Sequence, residues 1–242
     1  MALTIIHTAD LHNRLDHERA EALGFMRENA GALLLDSGDA VGAGNVYVRR
    51  AEPVLERMNA AGYHAMAVGN REFFFRKRGM LFKTRQAQFP VLTTNLLPRE
   101  GDFGHIRRWA EFDHGGERIG IFALTPTMIE PGHLFERLSD VRFLAWEAAA
   151  REAVERLRRR VDWLIALSHR GLEDDLALAE ICPEIDVVLG GHSHERSFNE
   201  VGRRPTLISH AGEHAAQAGF IKAARGDDGC NCYQARLVEV GG

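Results

Sequence analysis

Five short apolar runs along the chain each end in polar residues of one chemical type. Ile5 and Ile6 lead to Asp10 and His12, Leu33-Leu34-Leu35 to Asp36 and Asp39, and Ala65-Met66-Ala67-Val68 to Asn70. Trp163-Leu164-Ile165-Ala166-Leu167 lead to His169, and Val187-Val188-Leu189 to His192 and His194. Apolar runs of this length, bounded by glycines and polar residues, read as buried strands. Helical patterns lie between them. Asp16 caps a helix over about 17–29, and Gly31 stops it. A second helix over about 51–61 carries Pro53 in its first turn and ends at Gly62. Further helices are predicted over about 80–88 and 172–181. The clearest spans 145–160, where Trp146, Ala150, Ala153, Val154, Leu157 and Val161 share one face. Its basic residues 158–160 suit the negative end of the helix dipole.

Residues 90–95 and 117–124 read as further strands, and 106–112 as an edge strand. Residues 127–140 read as a surface loop. After His194 the pattern is strands only, with antiparallel strands expected over 206–209, 219–224 and 233–240. Gly226-Asp227-Asp228-Gly229 supplies the turn between the last two. Alternating strands and helices followed by a strand-only tail predict an α/β fold, with two sheets packed together and helices outside. No repeat, low-complexity segment or linker interrupts the 242 residues, so a single domain over 1–242 is expected.

Composition narrows the classes. At 45% hydrophobic and 26% charged residues, the chain matches ordinary globular proteins. A net charge of −4 makes the whole molecule a poor partner for nucleic acid. The stretch Phe73-Phe74-Phe75-Arg76-Lys77-Arg78 accordingly reads as core aromatics followed by a solvated face. No apolar run is long enough to span a membrane. A strand that opens at Leu3 leaves no space for a signal peptide, so a cytoplasmic location is expected. Cys182, Cys230 and Cys232 make no disulfide framework, and Cys230-Asn231-Cys232 lacks the partners of a metal site. His7 reads as core-facing.

In α/β sheets, ligands gather beyond the carboxyl ends of the strands. There the five runs deliver two Asp, one Asn and four His, oxygen and nitrogen donors for divalent metals. The set suffices for two ions if one carboxylate bridges them, and Asp39 is placed in that role. Asp10, His12, Asp39 and His194 then hold a first metal. Asp39, Asn70, His169 and His192 hold a second. The donor types accept Mn, Fe, Zn or Co. Two divalent ions, two carboxylates and one hydroxide leave a positive site, suited to a phosphate oxyanion.

Asp10-Leu11-His12, Gly38-Asp39, Gly69-Asn70, Ser168-His169 and Gly190-Gly191-His192-Ser193-His194, in this order, resemble the calcineurin-like metallophosphoesterase superfamily. The phrases around Ile5 to His12 and Phe89 to Leu96 look like its 5'-nucleotidase branch. The resemblance implies an α/β/β/α sandwich of mixed sheets with helices outside. It implies hydrolysis of phosphate esters (monoesters, diesters or nucleotide-derived) by a metal-bridging hydroxide, with a small phosphorylated substrate as partner. Asp39, Asn70 and Arg71 would be catalytic. Arg71, with His210 and His214 in a loop that the family places near the metals, would contact substrate. Two features depart from the branch. The third motif usually reads Gly-Asn-His-Glu-Phe-Asp, whereas here it is Gly69-Asn70-Arg71-Glu72-Phe73-Phe74. Arg71 and Phe74 replace a His-Asp pair, which motivates the alternative of a metal- or phosphate-binding protein without catalysis. No C-terminal nucleotide-binding domain is expected either.

Overall fold

The computed structural model describes residues 2–42, 52–130, 132–203, 205–226 and 229–241. The chain opens with β1 (Ala2–Thr8), α1 (His17–Ala30), β2 (Leu33–Asp36), α2 (Pro53–Ala61), β3 (Ala65–Ala67), α3 (Lys77–Thr84) and β4 (Val91–Leu92). Its middle holds β5 (Leu96–Pro98), β6 (Ile106–Arg107), β7 (Trp109–His114), β8 (Glu117–Leu124), α4 (Leu134–Leu138) and β9 (Val141–Phe143). Then come α5 (Trp146–Leu157), β10 (Trp163–Ser168), α6 (Leu172–Ile181), β11 (Val187–Gly190), β12 (Arg196–Val201), β13 (Thr206–Ala211), β14 (Gln217–Arg225) and β15 (Asn231–Glu239).

Two large mixed sheets form, in the orders β15-β14-β1-β2-β3-β4-β6 and β12-β13-β11-β10-β8-β7. The period of two along each strand sorts its side chains between two layers. Ile5, Leu33, Leu35, Ala65 and Ala67 face the second sheet, meeting Ile121, Ile165, Leu167, Val187 and Leu189. Their neighbours Ile6, Leu34, Met66 and Val68 pack with Leu23 of α1 and Leu55 and Met58 of α2. On the far side Phe122, Leu164, Ala166 and Val188 pack with Ala150, Ala153 and Leu157 of α5 and Leu178 of α6. Three apolar layers thus make the expected helix–sheet–sheet–helix sandwich.

Asp16 accepts from the N–H of Arg19 at the start of α1, and Gly31 ends that helix in the left-handed region. α3 begins at Lys77 rather than near residue 80. The expected loop 127–140 contains α4 and leads into β9, which pairs with β5. The expected edge strand over 106–112 is two strands in different sheets: β6 pairs with β4, and β7 with β8. Arg108 marks the crossing, tied by Thr94 Oγ1 at its carbonyl and by Glu152 at its guanidinium. The expected antiparallel set after His194 divides as well. β13 runs parallel to β11 in the second sheet, and only β14 and β15 form the hairpin in the first. β12, antiparallel to β13, has no signal in its mostly polar sequence. Residues 43–50 after Asp39, residue 51 of the second helix, Pro131, and Asp227 and Asp228 of the turn lie outside the described residues. Among the described residues, no helix is long and apolar enough to cross a membrane.

Candidate metal centre

The carboxyl ends of β1, β2 and β3 in one sheet, and of β10 and β11 in the other, open at the same end of the sandwich. The loops beyond β1 and β2 are zipped together: the N–H groups of Asp10, His12 and Asn13 donate to the carbonyls of Gly38, Asp39 and Ala40. This brings the two carboxylates side by side. His169 Nε2 lies 3.3 Å from Asp39 Oδ1 and 3.8 Å from Asp10 Oδ1. His12 Nε2 lies 3.5 Å from Asp10 Oδ1 and 3.6 Å from Asp39 Oδ2. His194 Nε2 lies 3.3 Å from Asp10 Oδ1. Asn70 Oδ1 and His192 Nδ1 are 3.1 Å apart. The His169 and His192 rings meet edge-on with centroids 5.2 Å apart. All seven residues picked from the sequence as metal ligands therefore meet in one cluster.

The backbone is strained where these side chains turn inward. Among the described residues, eight non-glycines have positive φ, and five are Asp10, His12, Asp39, His192 and His194. Left-handed conformations disfavour a Cβ, and their concentration here marks a site whose geometry the rest of the fold enforces. Two buried carboxylates outside the cluster hold its loops. Glu72, fully buried, accepts from the N–H groups of Asp39, Gly69 and Val41. Asp36 accepts from the N–H of Gly38 and from Thr8 Oγ1. Glu72 is not singled out by the sequence, although it follows Arg71 directly. A carboxylate serving only backbone N–H groups has no spacing signature.

The donor set fits divalent metals on its own geometry. Asp10 Oδ1, His12 Nε2 and His169 Nε2 are buried and without a hydrogen-bond partner, and the two imidazole nitrogens each face both Asp10 Oδ1 and the Asp39 carboxylate. Buried polar atoms left unpaired are costly, so three converging on one space mark a place for a cation. His169 Nδ1 lies 2.9 Å from the Ser37 carbonyl, an acceptor that fixes its proton there and leaves Nε2 as a lone pair. In the metal-free protein, protons fill the role. Burial pulls the His12 and His169 imidazoles down, but contacts with Asp10 and Asp39 outweigh it and raise them to about 8 and about 9. Burial likewise opposes charge on Asp39, yet His12 and His169 hold its carboxyl far below the usual carboxylate range.

The remaining candidates separate. The N–H of Arg71 donates to Asp39 Oδ1, and its side chain stays partly open beside the cluster. His214 enters the site, with Nε2 3.2 Å from His12 Nδ1. His210 is instead buried in β13: its Nε2 lies 2.9 Å from Asp175 Oδ2 and its Nδ1 3.4 Å from Ser193 Oγ. Both partners lie outside the metal-ligand set, and at 1% exposure His210 is closed to the surface, unlike the substrate contact expected from the sequence. Phe74 packs at the edge of the helix-side core, over Gly79 and against Phe75. Glu213, not picked from the sequence, lies 3.0 Å from His194 Nδ1.

The sequence profile of the calcineurin-like phosphoesterase family matches residues 3–196, and the chain belongs to that family of metal-dependent phosphoester hydrolases. Its relatives include a snake venom 5'-nucleotidase from Gloydius brevicauda, 30% identical over 88% of this chain and 40% of that protein. The 5'-nucleotidase precursor from Thermus thermophilus superposes on all of this chain and 55% of its own, with a TM-score of 0.83 at 25% identity. A calcineurin-like phosphoesterase from Bacillus subtilis, 18% identical, shares the fold over 99% of this chain and 91% of its own, with a TM-score of 0.76. The chain spans about two fifths of the length of the curated relatives it matches.

Proposed function

We propose that this chain hydrolyses phosphate esters at a pair of divalent metals, one held by Asp10, His12, Asp39 and His194, the other by Asp39, Asn70, His169 and His192. The observation that carries this reading is that the buried His12 Nε2 and His169 Nε2, both without a hydrogen-bond partner, each face Asp10 Oδ1 and an oxygen of Asp39. Such metals supply Lewis acidity toward a phosphoryl oxygen and lower the pKa of a nucleophilic water. The protein's own residues do the rest. Asp39 presents one oxygen toward each set of imidazoles. Glu72 and Asp36 hold the loops of Asp39 and Asn70 in register. Arg71, a permanent cation with a partly open side chain, faces the space where phosphoryl oxygens would sit and draws them in.

Arg71 cannot release a proton, so the leaving oxygen departs without an acid from this position. That favours substrates whose leaving group is already a stable anion. The names of the relatives make nucleotides one class to test, and aryl monoesters and diesters are others. The decisive experiment is turnover of aryl phosphate, aryl phosphodiester and nucleoside monophosphate with Mn²⁺, Zn²⁺ or Co²⁺, alongside metal analysis. Turnover that needs added metal and disappears in Asp39→Asn is the expected result. Two bound metals with no turnover of any ester would favour the second reading, a metal- or phosphate-binding protein. Arg71 and Phe74 in place of a His-Asp pair are what motivates that reading.

A further inference from the structure

Both imidazoles of the first metal set turn a second nitrogen away from the cluster, and both meet the same loop between β13 and β14. His194 Nδ1 lies 3.0 Å from Glu213 Oε2, and His12 Nδ1 lies 3.2 Å from His214 Nε2. The loop is tied to the ligands through its backbone too, since the N–H of His214 donates to the Asp10 carbonyl. His214 and Ala215 both hold left-handed backbone, with φ of 64° and 50°. For an ordinary surface loop this strain has no return.

We infer that Glu213 and His214 are positioning residues of the first metal set alone, orienting His194 and His12 through their outer nitrogens. This rests on the dinuclear reading above. An imidazole offering Nε2 to a cation carries its proton on Nδ1, and that N–H needs an acceptor to fix the ring. Glu213 Oε2 accepts from His194; it also lies 3.3 Å from His214 Nε2, and with the His214 proton on Nδ1 the lone pair of that Nε2 accepts from His12. The second set is served differently: His169 Nδ1 is tied to the Ser37 carbonyl, and His192 Nδ1 lies 3.1 Å from Asn70 Oδ1, neither of them in the loop of Glu213 and His214. His12, Glu213 and His214 could also be read as a third metal site, since their ligand atoms lie within 4.8 Å of one another. That reading would need His12 to bind two cations at once as an imidazolate. A neutral donor–acceptor pair avoids this.

The test is metal occupancy rather than rate. Metal-free protein is titrated with Mn²⁺ or Co²⁺ and content is counted after equilibrium dialysis, with the cobalt absorption spectrum as a second signature. Glu213→Ala and His214→Asn should each weaken one of two sites by about 10- to 100-fold and leave the other within about twofold. Asn tolerates the left-handed backbone but is too short to reach His12. Glu213→Gln and His214→Gln, which keep an acceptor oxygen, should recover most of the loss. The affected site is named by pairing. In a His192→Ala background, which cripples the second set, Glu213→Ala should strip the remaining metal. In a His12→Ala background it should change nothing further. Equal weakening of both sites, or no weakening, overturns the inference while the dinuclear reading stands. A wild type that binds no metal overturns both.

Discussion

Arg71 grips Asp39 twice. Its backbone N–H donates to Oδ1 at 2.7 Å, and its guanidinium Nε lies 3.5 Å from Oδ2 of the same carboxylate. The side chain is 28% exposed and the carboxylate 4%, so the cation stands at the mouth of the site with Asp39 behind it. A His at this position could exchange a proton with a leaving oxygen, whereas a guanidinium only donates hydrogen bonds.

Leaving-group dependence should therefore be steep. General acid catalysis is worth about 10²–10⁴-fold, a loss felt by alkoxides and hardly by phenolates or phosphate. Aryl esters and phosphoanhydrides should be cleaved much faster than nucleoside monophosphates. Arg71→His should raise alkyl-ester rates more than aryl-ester rates. Adding Phe74→Asp places a carboxylate where Phe74 packs over Gly79, so the double variant should be less stable than the single one. Similar chemical-step rates for alkyl and aryl monoesters, unchanged in Arg71→His, would count against this account.

Asp39 should be the one ligand whose loss damages both metals. Its two oxygens face different imidazoles, Oδ1 toward His169 and Oδ2 toward His12. Asp39→Asn should lower metal content at both sites, whereas His169→Ala should spare the first and regain rate at high metal concentration. Elemental analysis after dialysis checks the first point. One site still fully occupied in Asp39→Asn would show that this carboxylate does not bridge.

Metal binding should expel protons. In the metal-free protein the His12 and His169 imidazoles are raised to about 8 and about 9 from 6.5, because their contacts with Asp10 and Asp39 outweigh burial. These charged pairs stabilise the metal-free fold fully below pH 6.5, and that contribution is lost as pH rises through 8 to 9. Affinity for metal should run the opposite way, climbing from about pH 6 and levelling near pH 9 as the competing protons leave. Calorimetry in buffers of different ionisation enthalpy should show proton release near neutral pH. An affinity that stays flat across this range would contradict the assignment.

Glu72 should matter to folding and to metal together. Its carboxylate accepts from the N–H groups of Asp39, Gly69 and Val41, and Glu72→Ala leaves all three without their acceptor. Each buried orphan costs about 1–3 kcal/mol. Glu72→Ala should thus lose several kcal/mol in denaturant unfolding with chelator present, and bind metal poorly even where folded. Wild-type stability in the metal-free variant would show that the three N–H groups find other partners.

Much of this was legible along the chain. Strand ends are local events: an apolar run stops and a ligand follows, directly after a glycine at Asp39, Asn70 and His192, so these three with Asp10 and His169 could be picked without coordinates. The layers followed as well, because a period of two sorts Ile5 from Ile6 whatever lies beyond the strand. β12 escaped because Ser197, Asn199 and Glu200 show no apolar face, and the break at Arg108 because both flanking pieces look like strand. Tertiary structure alone decided the rest. Glu72 serves backbone N–H groups, which carry no sequence identity. His210 and His214, close neighbours in sequence, take opposite fates: one is buried against Asp175, and the other reaches a partner 202 residues away. Spacing reports which residues leave a strand on the same side. Which nitrogen finds which oxygen across two sheets is set by how the loops zip together, and that appears only when the chain is folded.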